Sequence, residues 1–177
     1  MATTPTIPGR VPAGFKSPFN RVAMTERIDD ALACVATLTG QPLNEIKKLA
    51  VRFGFPEHGP GWIDPPMIQQ LLAEFSLIAS DYQTVKTISA LPDVAILLAD
   101  YNPDNDIGRH IVWHHVRGTA DIAAFHYVID VGNWVPAEFQ ITTDFSFVNL
   151  NPPLWYLGVS PKTGPTVKGK STPLKGG

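Results

Sequence analysis

Apolar positions in the first half of the chain recur with the spacing of helices. After Asp29 and Asp30, residues 31–39 alternate small and apolar side chains up to Gly40. A stretch this apolar on all sides predicts a helix that is buried almost completely. Either aspartate is a suitable N-terminal cap, and the glycine is a suitable end.

Two further helices are predicted before residue 80. Residues 45–53 carry apolar side chains at i, i+3, i+4 and i+7, with Asn44 as the predicted cap. Residues 67–75 repeat this spacing, and they follow Asp64, which is a good cap and is followed directly by proline. The first half of the domain is therefore predicted to be helical.

Beyond residue 90 the pattern changes to that of strands, with β-branched and aromatic runs between turn residues. The predicted strands are 94–100, 109–117, 123–131, 133–139 and 154–159. Helices followed by a run of strands indicate an α+β fold, with the N-terminal helices packed on a C-terminal antiparallel sheet.

Composition narrows the class of protein. Hydrophobic residues make up 44% of the 177 residues, which is enough for a core and excludes disorder of the whole chain. The net charge of −2 argues against a polybasic nucleic-acid-binding protein, so no nucleic-acid partner is expected. The longest apolar run, 94–99, is far too short to cross a bilayer, so no membrane insertion is expected.

Prolines concentrate at the two ends of the chain and predict its organisation. We expect an extended N-terminal segment over 1–20, a domain over 21–160, and a flexible basic tail over 161–177 with four lysines and no acidic residue. No signal-peptide pattern is present at the N-terminus. A cytoplasmic location is therefore expected, while export without an N-terminal signal stays open.

The candidate chemistry is that of a thiol hydrolase. Cys34 is the one cysteine, so an intramolecular disulfide and a multi-cysteine zinc site are both excluded. Four of the five histidines lie in the strand region, together with Asp130. A cysteine hydrolase needs a thiolate near a helix N-terminus, an imidazole beside it, and a group that orients the imidazole.

Several segments, in their order along the chain, resemble the papain-like peptidases of the double-glycine, bacteriocin-processing type. The segments are Asp29-Asp-Ala-Leu-Ala-Cys-Val-Ala-Thr-Leu-Thr-Gly40, Gln41-Pro-Leu-Asn-Glu-Ile46, Pro66-Met-Ile-Gln-Gln-Leu-Leu-Ala-Glu-Phe75, Val94-Ala-Ile-Leu-Leu98, Gly108-Arg-His-Ile-Val112 and Tyr127-Val-Ile-Asp130. The resemblance spans about residues 22–160. It implies a papain-like fold and cleavage of peptide or isopeptide bonds, with backbone N–H groups at the start of the first helix forming part of an oxyanion hole.

Carried over by position, the family's histidine falls on His110 and its orienting aspartate on Asp130. The family's nucleophilic cysteine, however, aligns with Asp30, and Cys34 lies one helical turn further in. The family's oxyanion-hole glutamine has no counterpart in residues 24–28. The resemblance therefore implies an active cleft whose nucleophile position is occupied by a carboxylate.

Three explanations of Asp30 stay open at this point. A natural cysteine at position 30 was replaced by aspartate, or the protein is a natural pseudo-peptidase that binds a peptide in the same cleft, or Cys34 is the nucleophile in a shifted register. The third is disfavoured, because a thiol in mid-helix loses most of the terminal dipole effect. Asp30 is expected to pair with His110 and keep it protonated.

The expected partner is a peptide or protein substrate, and the oligomeric state is not predicted. No cofactor and no metal are expected: His110, His114, His126 and Asp130 can be drawn as a metal site, but their spacing matches no known one. The C-terminal Gly176-Gly177 resembles the double-glycine ends that several papain-like peptidases recognise, so cleavage after Gly-Gly is one possible specificity.

Overall fold

The computed structural model describes residues 10–58 and 61–163, and helices dominate its first half. The helices of the described chain are α1 (Asp30–Thr39), α2 (Leu43–Arg52), α3 (Pro65–Ala73) and the short α4 (Ala137–Gln140), with a 3₁₀ turn at Ile88–Ala90. None of them has the length and hydrophobicity that crossing a bilayer requires.

All the strands of the described chain belong to one antiparallel sheet. They are β1 (Leu77–Ala79), β2 (Gln83–Thr84), β3 (Val94–Asn102), β4 (Ile107–Val116), β5 (Phe125–Ile129), β6 (Ile141–Thr142) and β7 (Trp155–Pro161). Their order across the sheet is β1-β7-β3-β4-β5-β6, and β2 also pairs with β7. The predicted α+β architecture, with helices packed on an antiparallel sheet, is confirmed.

Helix α1 lies in the centre of the protein, against strand β4. Every residue from Ala31 to Leu38 is buried, and three alanines in this stretch let the helix backbone approach the sheet closely. Gly40 ends the helix in the left-handed conformation with φ 68°, as predicted from the sequence. The buried helix places its first residue, Asp30, against β4, a strand flanked on both sides by other strands of the sheet.

The sequence was wrong about details at several element ends. Residues 133–139, predicted as a strand, form a turn and the start of α4, because Pro136 caps a helix and cannot donate to a sheet ladder. Helix α2 begins at Leu43 with Pro42 as its cap, so Asn44 lies inside the helix. Asp64 does cap α3, accepting a hydrogen bond from the Met67 backbone N–H at 3.0 Å.

The described part of the N-terminal segment packs on the domain. Val11, Phe15 and Phe19 are partly buried against the main core. The Ser17 hydroxyl lies 2.7 Å from the Tyr127 hydroxyl, which fixes the segment to β5. At the other end, the part of the predicted basic tail beyond residue 163, including Gly176-Gly177, lies outside the described residues.

Candidate active site

Asp30 and His110, which are 80 positions apart in the sequence, meet where α1 packs on β4. The Asp30 Oδ2 atom lies 2.9 Å from His110 Nδ1 and accepts the His110 backbone N–H at 2.5 Å. Both side chains line the same cavity. The two residues that the family resemblance pairs are therefore in direct contact.

Tyr82 occupies the other nitrogen of the His110 ring. Its hydroxyl lies 2.6 Å from His110 Nε2, and the tyrosine comes from the short connection between β1 and β2. A proton on Nδ1 lets the ring donate to Asp30, and Nε2 accepts from the phenol when that nitrogen carries no proton. Sequence reasoning missed this residue, because a tyrosine in an irregular connection has no characteristic spacing to a histidine 28 positions later.

The contacts within this chain of groups shift two pKa values. Burial alone raises the pKa of the Asp30 carboxyl, but the hydrogen bonds and the charge of His110 outweigh it, so its pKa lies below the ordinary value. Burial, followed by the charge of Asp30, raises the pKa of the Tyr82 phenol well above its ordinary value. Position 30 is therefore a carboxylate and position 82 a neutral phenol at neutral pH.

Replacing Asp30 with Asn is expected to destabilise the protein at neutral pH and much less in acid. The pKa of Asp30 is lower in the folded protein than in the unfolded chain, where it is about 4. Its carboxylate therefore stabilises the folded state fully above about pH 4, and this contribution is lost as the pH falls through the folded-state pKa. A hydrogen bond to a charged group contributes roughly 1.5–3 kcal/mol. Urea unfolding of both proteins at about pH 7 and about pH 3 measures the difference. An equal difference at both pH values would contradict the prediction, and Asp121→Asn on the exposed surface is the control.

The carboxylate of Asp130 contacts Arg109 instead of His110. Arg109 donates to Asp130 Oδ2 and to Asp100 Oδ2, and the Gly132 backbone N–H donates to Asp130 Oδ1 at 3.0 Å. Among the described residues, no hydrogen bond joins Asp130 to His110. Side chains alternate along a strand, so Arg109 and His110 leave β4 on opposite faces, and Asp130 continues the face of Arg109.

Cys34 lies inside the core. Its side chain is 0% exposed, in the second turn of α1. Burial, followed by the charges of Asp30 and Asp130, raises the pKa of the thiol well above its ordinary value, although Arg109 acts in the opposite direction. A thiol that is neutral and has no access to the cleft is packed as a small hydrophobic group.

His114 and His126 are partly buried and make structural contacts. His114 Nδ1 lies 2.9 Å from the Tyr127 hydroxyl, and His126 stacks on Trp113 with ring centroids 4.7 Å apart. Burial lowers the pKa of both rings. Within residues 10–58 and 61–163, no three His, Cys, Asp or Glu side chains come together as a metal site.

The cleft above Asp30 and His110 has a volume of about 640 Å³ and is lined mainly by apolar side chains. The described residues expose seven large hydrophobic side chains, and four of these line this one cavity. The four are Ile28, Trp62, Ile107 and Trp134, of which Trp62 is 77% and Trp134 55% exposed. Exposed apolar groups concentrated in a cleft indicate a binding surface.

One wall of the cleft is held by a buried carboxylate. Asp29 accepts hydrogen bonds from the backbone N–H groups of Thr25 and Glu26, and Lys47 Nζ lies 2.7 Å from its Oδ2 atom. These contacts fix the turn that carries Arg27 and Ile28 into the cleft. Asp29 therefore stabilises the turn before α1, while its side chain makes no cap hydrogen bond to that helix.

Comparison with known proteins agrees with this geometry at the level of the fold. The sequence matches no protein-family model and no curated protein. The structure is similar to that of a double glycine motif protease from an AMS/PCAT transporter, solved in complex with the leader peptide. The TM-score is 0.50 at 14% sequence identity, and the match covers 84% of this chain and 96% of that one. The fold is thus the papain-like α+β fold of that protease.

Proposed function

We propose that this protein binds an extended peptide segment in the cleft of a peptidase-like fold and does not cleave it. The proposal takes Asp30 as the residue at the nucleophile position. Position 30 holds a carboxylate that accepts two hydrogen bonds from His110, so it offers no thiol to attack a peptide carbonyl. Cys34 does not replace it, because the core encloses the sulfur.

The observation that carries the proposal is the placement of the exposed apolar side chains. Trp62 and Trp134 stand on the same cleft as Asp30 and His110, with most of their surface in solvent. Tryptophan is the residue most enriched where a few contacts supply most of the binding energy. A cleft with open apolar walls and an occupied catalytic position suits binding better than turnover.

The structural neighbour supports a peptide as the partner. That protease was solved with a leader peptide bound, and its fold matches most of this chain. A peptide segment also suits a mainly apolar cleft that exposes indole rings at its surface. The expected partner is therefore a peptide segment, free or as part of a protein.

A second candidate is a cysteine peptidase in which aspartate has replaced a natural cysteine at position 30. The observation that favours it is the 2.9 Å contact from residue 30 to His110 Nδ1, at the first turn of a buried helix. A thiol in that place would face an imidazole and a helix N-terminus. In this candidate, position 30 carries the nucleophile and His110 is the general base. Tyr82, at Nε2, orients the ring, because Asp130, the residue that the resemblance puts in this role, pairs with Arg109 instead.

Replacing Trp62 with Ala is expected to weaken peptide binding by at least about tenfold, because truncating a central interface tryptophan typically removes 2 kcal/mol or more. An array of unrelated decapeptides identifies the binding sequences, and fluorescence anisotropy measures their affinities for both proteins. Mass spectrometry after prolonged incubation is expected to show the peptides intact.

The matched control is Val51→Ala, an exposed apolar residue on α2 that does not line the cleft. It is expected to leave the affinity unchanged. Equal weakening by both substitutions, or no weakening by either, would place the binding surface elsewhere. Cleavage of a bound peptide by the unaltered protein would contradict the non-catalytic assignment.

A further inference from the structure

Acidic side chains outnumber basic ones among the residues that line the cleft. The charged residues comprise four aspartates and two arginines. Asp30 is engaged by His110, and Arg109 is engaged by two carboxylates, those of Asp100 and Asp130. Apart from the Asp30–His110 pair, three aspartates face two arginines in the lining, so the cleft carries more negative than positive charge.

Two of these carboxylates have no cationic partner among the described residues. Asp64 is exposed and caps α3 through Oδ1, which leaves its second oxygen open to solvent. Asp106 is exposed and accepts a hydrogen bond from the Tyr101 hydroxyl. Arg27 is the lining cation without a described acidic partner. A ligand in the cleft therefore meets more unpaired negative than positive charge.

Each free carboxylate lines the same cavity as an exposed apolar residue close to it in sequence. Asp64 lies two residues after Trp62, and Asp106 directly precedes Ile107. A lysine or arginine side chain has the same two parts, an apolar stem and a cationic end. Its stem can cover the indole or the isoleucine while the end group pairs with the carboxylate, and an indole face also attracts a cation.

We propose that the peptide bound in this cleft is basic and places at least one lysine or arginine side chain against the Trp62–Asp64 or Asp106–Ile107 wall. This inference rests on the proposed peptide-binding function and specifies its partner. The negative charge of the cleft disfavours an acidic segment by the same electrostatic argument. An uncharged apolar segment would gain the indole contacts alone.

Three fluorescein-labelled decapeptides test this inference, derived from one sequence that the protein binds and differing at two positions that carry Lys, Gln or Glu. The lysine peptide is expected to bind at least about tenfold more tightly than the glutamine peptide, and the glutamate peptide most weakly. The preference is expected to shrink as NaCl is raised from about 0.05 M to about 1 M, because salt screens exposed charges.

The double variant Asp64→Asn and Asp106→Asn is expected to bind the lysine and glutamine peptides equally. Asparagine retains the capping oxygen at position 64 and tolerates the positive φ of 58° at position 106, so the fold is preserved. Asp81→Asn with Asp121→Asn makes the same change of net charge outside the cleft and is expected to keep the preference.

The outcomes separate this inference from the proposed function. If all three peptides bind equally and Trp62→Ala abolishes this binding, the preference for a basic partner is overturned but peptide binding in the cleft stands. Tightest binding of the glutamate peptide also overturns it. An array without any binder refutes the proposed function itself, and with it this inference.

Discussion

Asp30→Cys is expected to create a thiol at position 30 that reacts with iodoacetamide about 100-fold faster at neutral pH than the native Cys34. The new sulfur would stand in the first turn of α1 and near His110 Nδ1, and both the helix terminus and an imidazolium lower the pKa of a thiol. Cys34 has the opposite environment, because burial raises its pKa and closes off access. Peptide mapping by mass spectrometry after timed alkylation distinguishes the two positions.

Two controls make this result specific to the imidazole. Adding His110→Gln to Asp30→Cys is expected to slow alkylation at position 30 by about tenfold or more, because the thiolate loses its cationic partner. Adding Tyr82→Phe tests whether the phenol at Nε2 orients the ring, while Asp130→Asn tests the aspartate. If position 30 alkylates no faster than Cys34, the site cannot activate a thiol and the peptidase candidate fails. Cleavage of an arrayed peptide by Asp30→Cys alone would favour that candidate.

Arg109→Met is expected to lower the free energy of unfolding by about 3–5 kcal/mol. The substitution leaves the carboxylate of Asp130, whose side chain is almost fully buried, without its ion-pair partner, and breaking a buried pair in this way is strongly destabilising. Arg21 stays nearby, but it donates to the backbone carbonyls of Asp130 and Gly132 and not to the carboxylate. Asp100, the second partner of Arg109, also accepts the Asn149 backbone N–H at 2.5 Å, so the loss extends to the segment before β7. Urea denaturation at neutral pH measures the change.

A second arginine, directly after the end of β4, is the control for this prediction. Arg117 pairs with Asp93, but its side chain is 81% exposed, so Arg117→Met is expected to cost no more than about 1 kcal/mol. Adding Asp130→Asn to Arg109→Met is expected to recover part of the loss, because it removes the buried charge. A loss from Arg109→Met as small as that from Arg117→Met would contradict the importance of the buried pair.

The elements that could be predicted from the sequence are those in which the pattern of side chains reflects burial or a helix end. The run of alanines and apolar residues after Asp30 is compatible only with burial on all sides, and Asp64 before two prolines is a strong helix start. The fold class followed from helices preceding strands. Strands β1, β2 and β6 were missed, because two or three residues are too few to show a period.

The site was predicted less completely than the fold. The contact between Asp30 and His110 was expected from family resemblance, whereas nothing in the sequence relates Tyr82 to that ring. The pairing of Asp130 with Arg109 instead of His110 could have been predicted from the alternation of side chains along β4. Since side chains alternate on a strand, a residue next to His110 on β4 faces the other side, where Arg109 meets the carboxylate. A hydrogen bond between specific groups depends on tertiary placement that a single sequence does not encode locally.

The site's three connected side chains come from α1, the β1–β2 connection and β4, so the cleft exists only when these elements are docked together. Contacts between residues this distant in sequence form only after the intervening chain has closed into loops. The cleft is therefore lost only when α1 separates from the sheet, which disrupts the core as a whole. A bound peptide should accordingly slow amide hydrogen exchange throughout α1 and β4 together, well beyond the residues it touches.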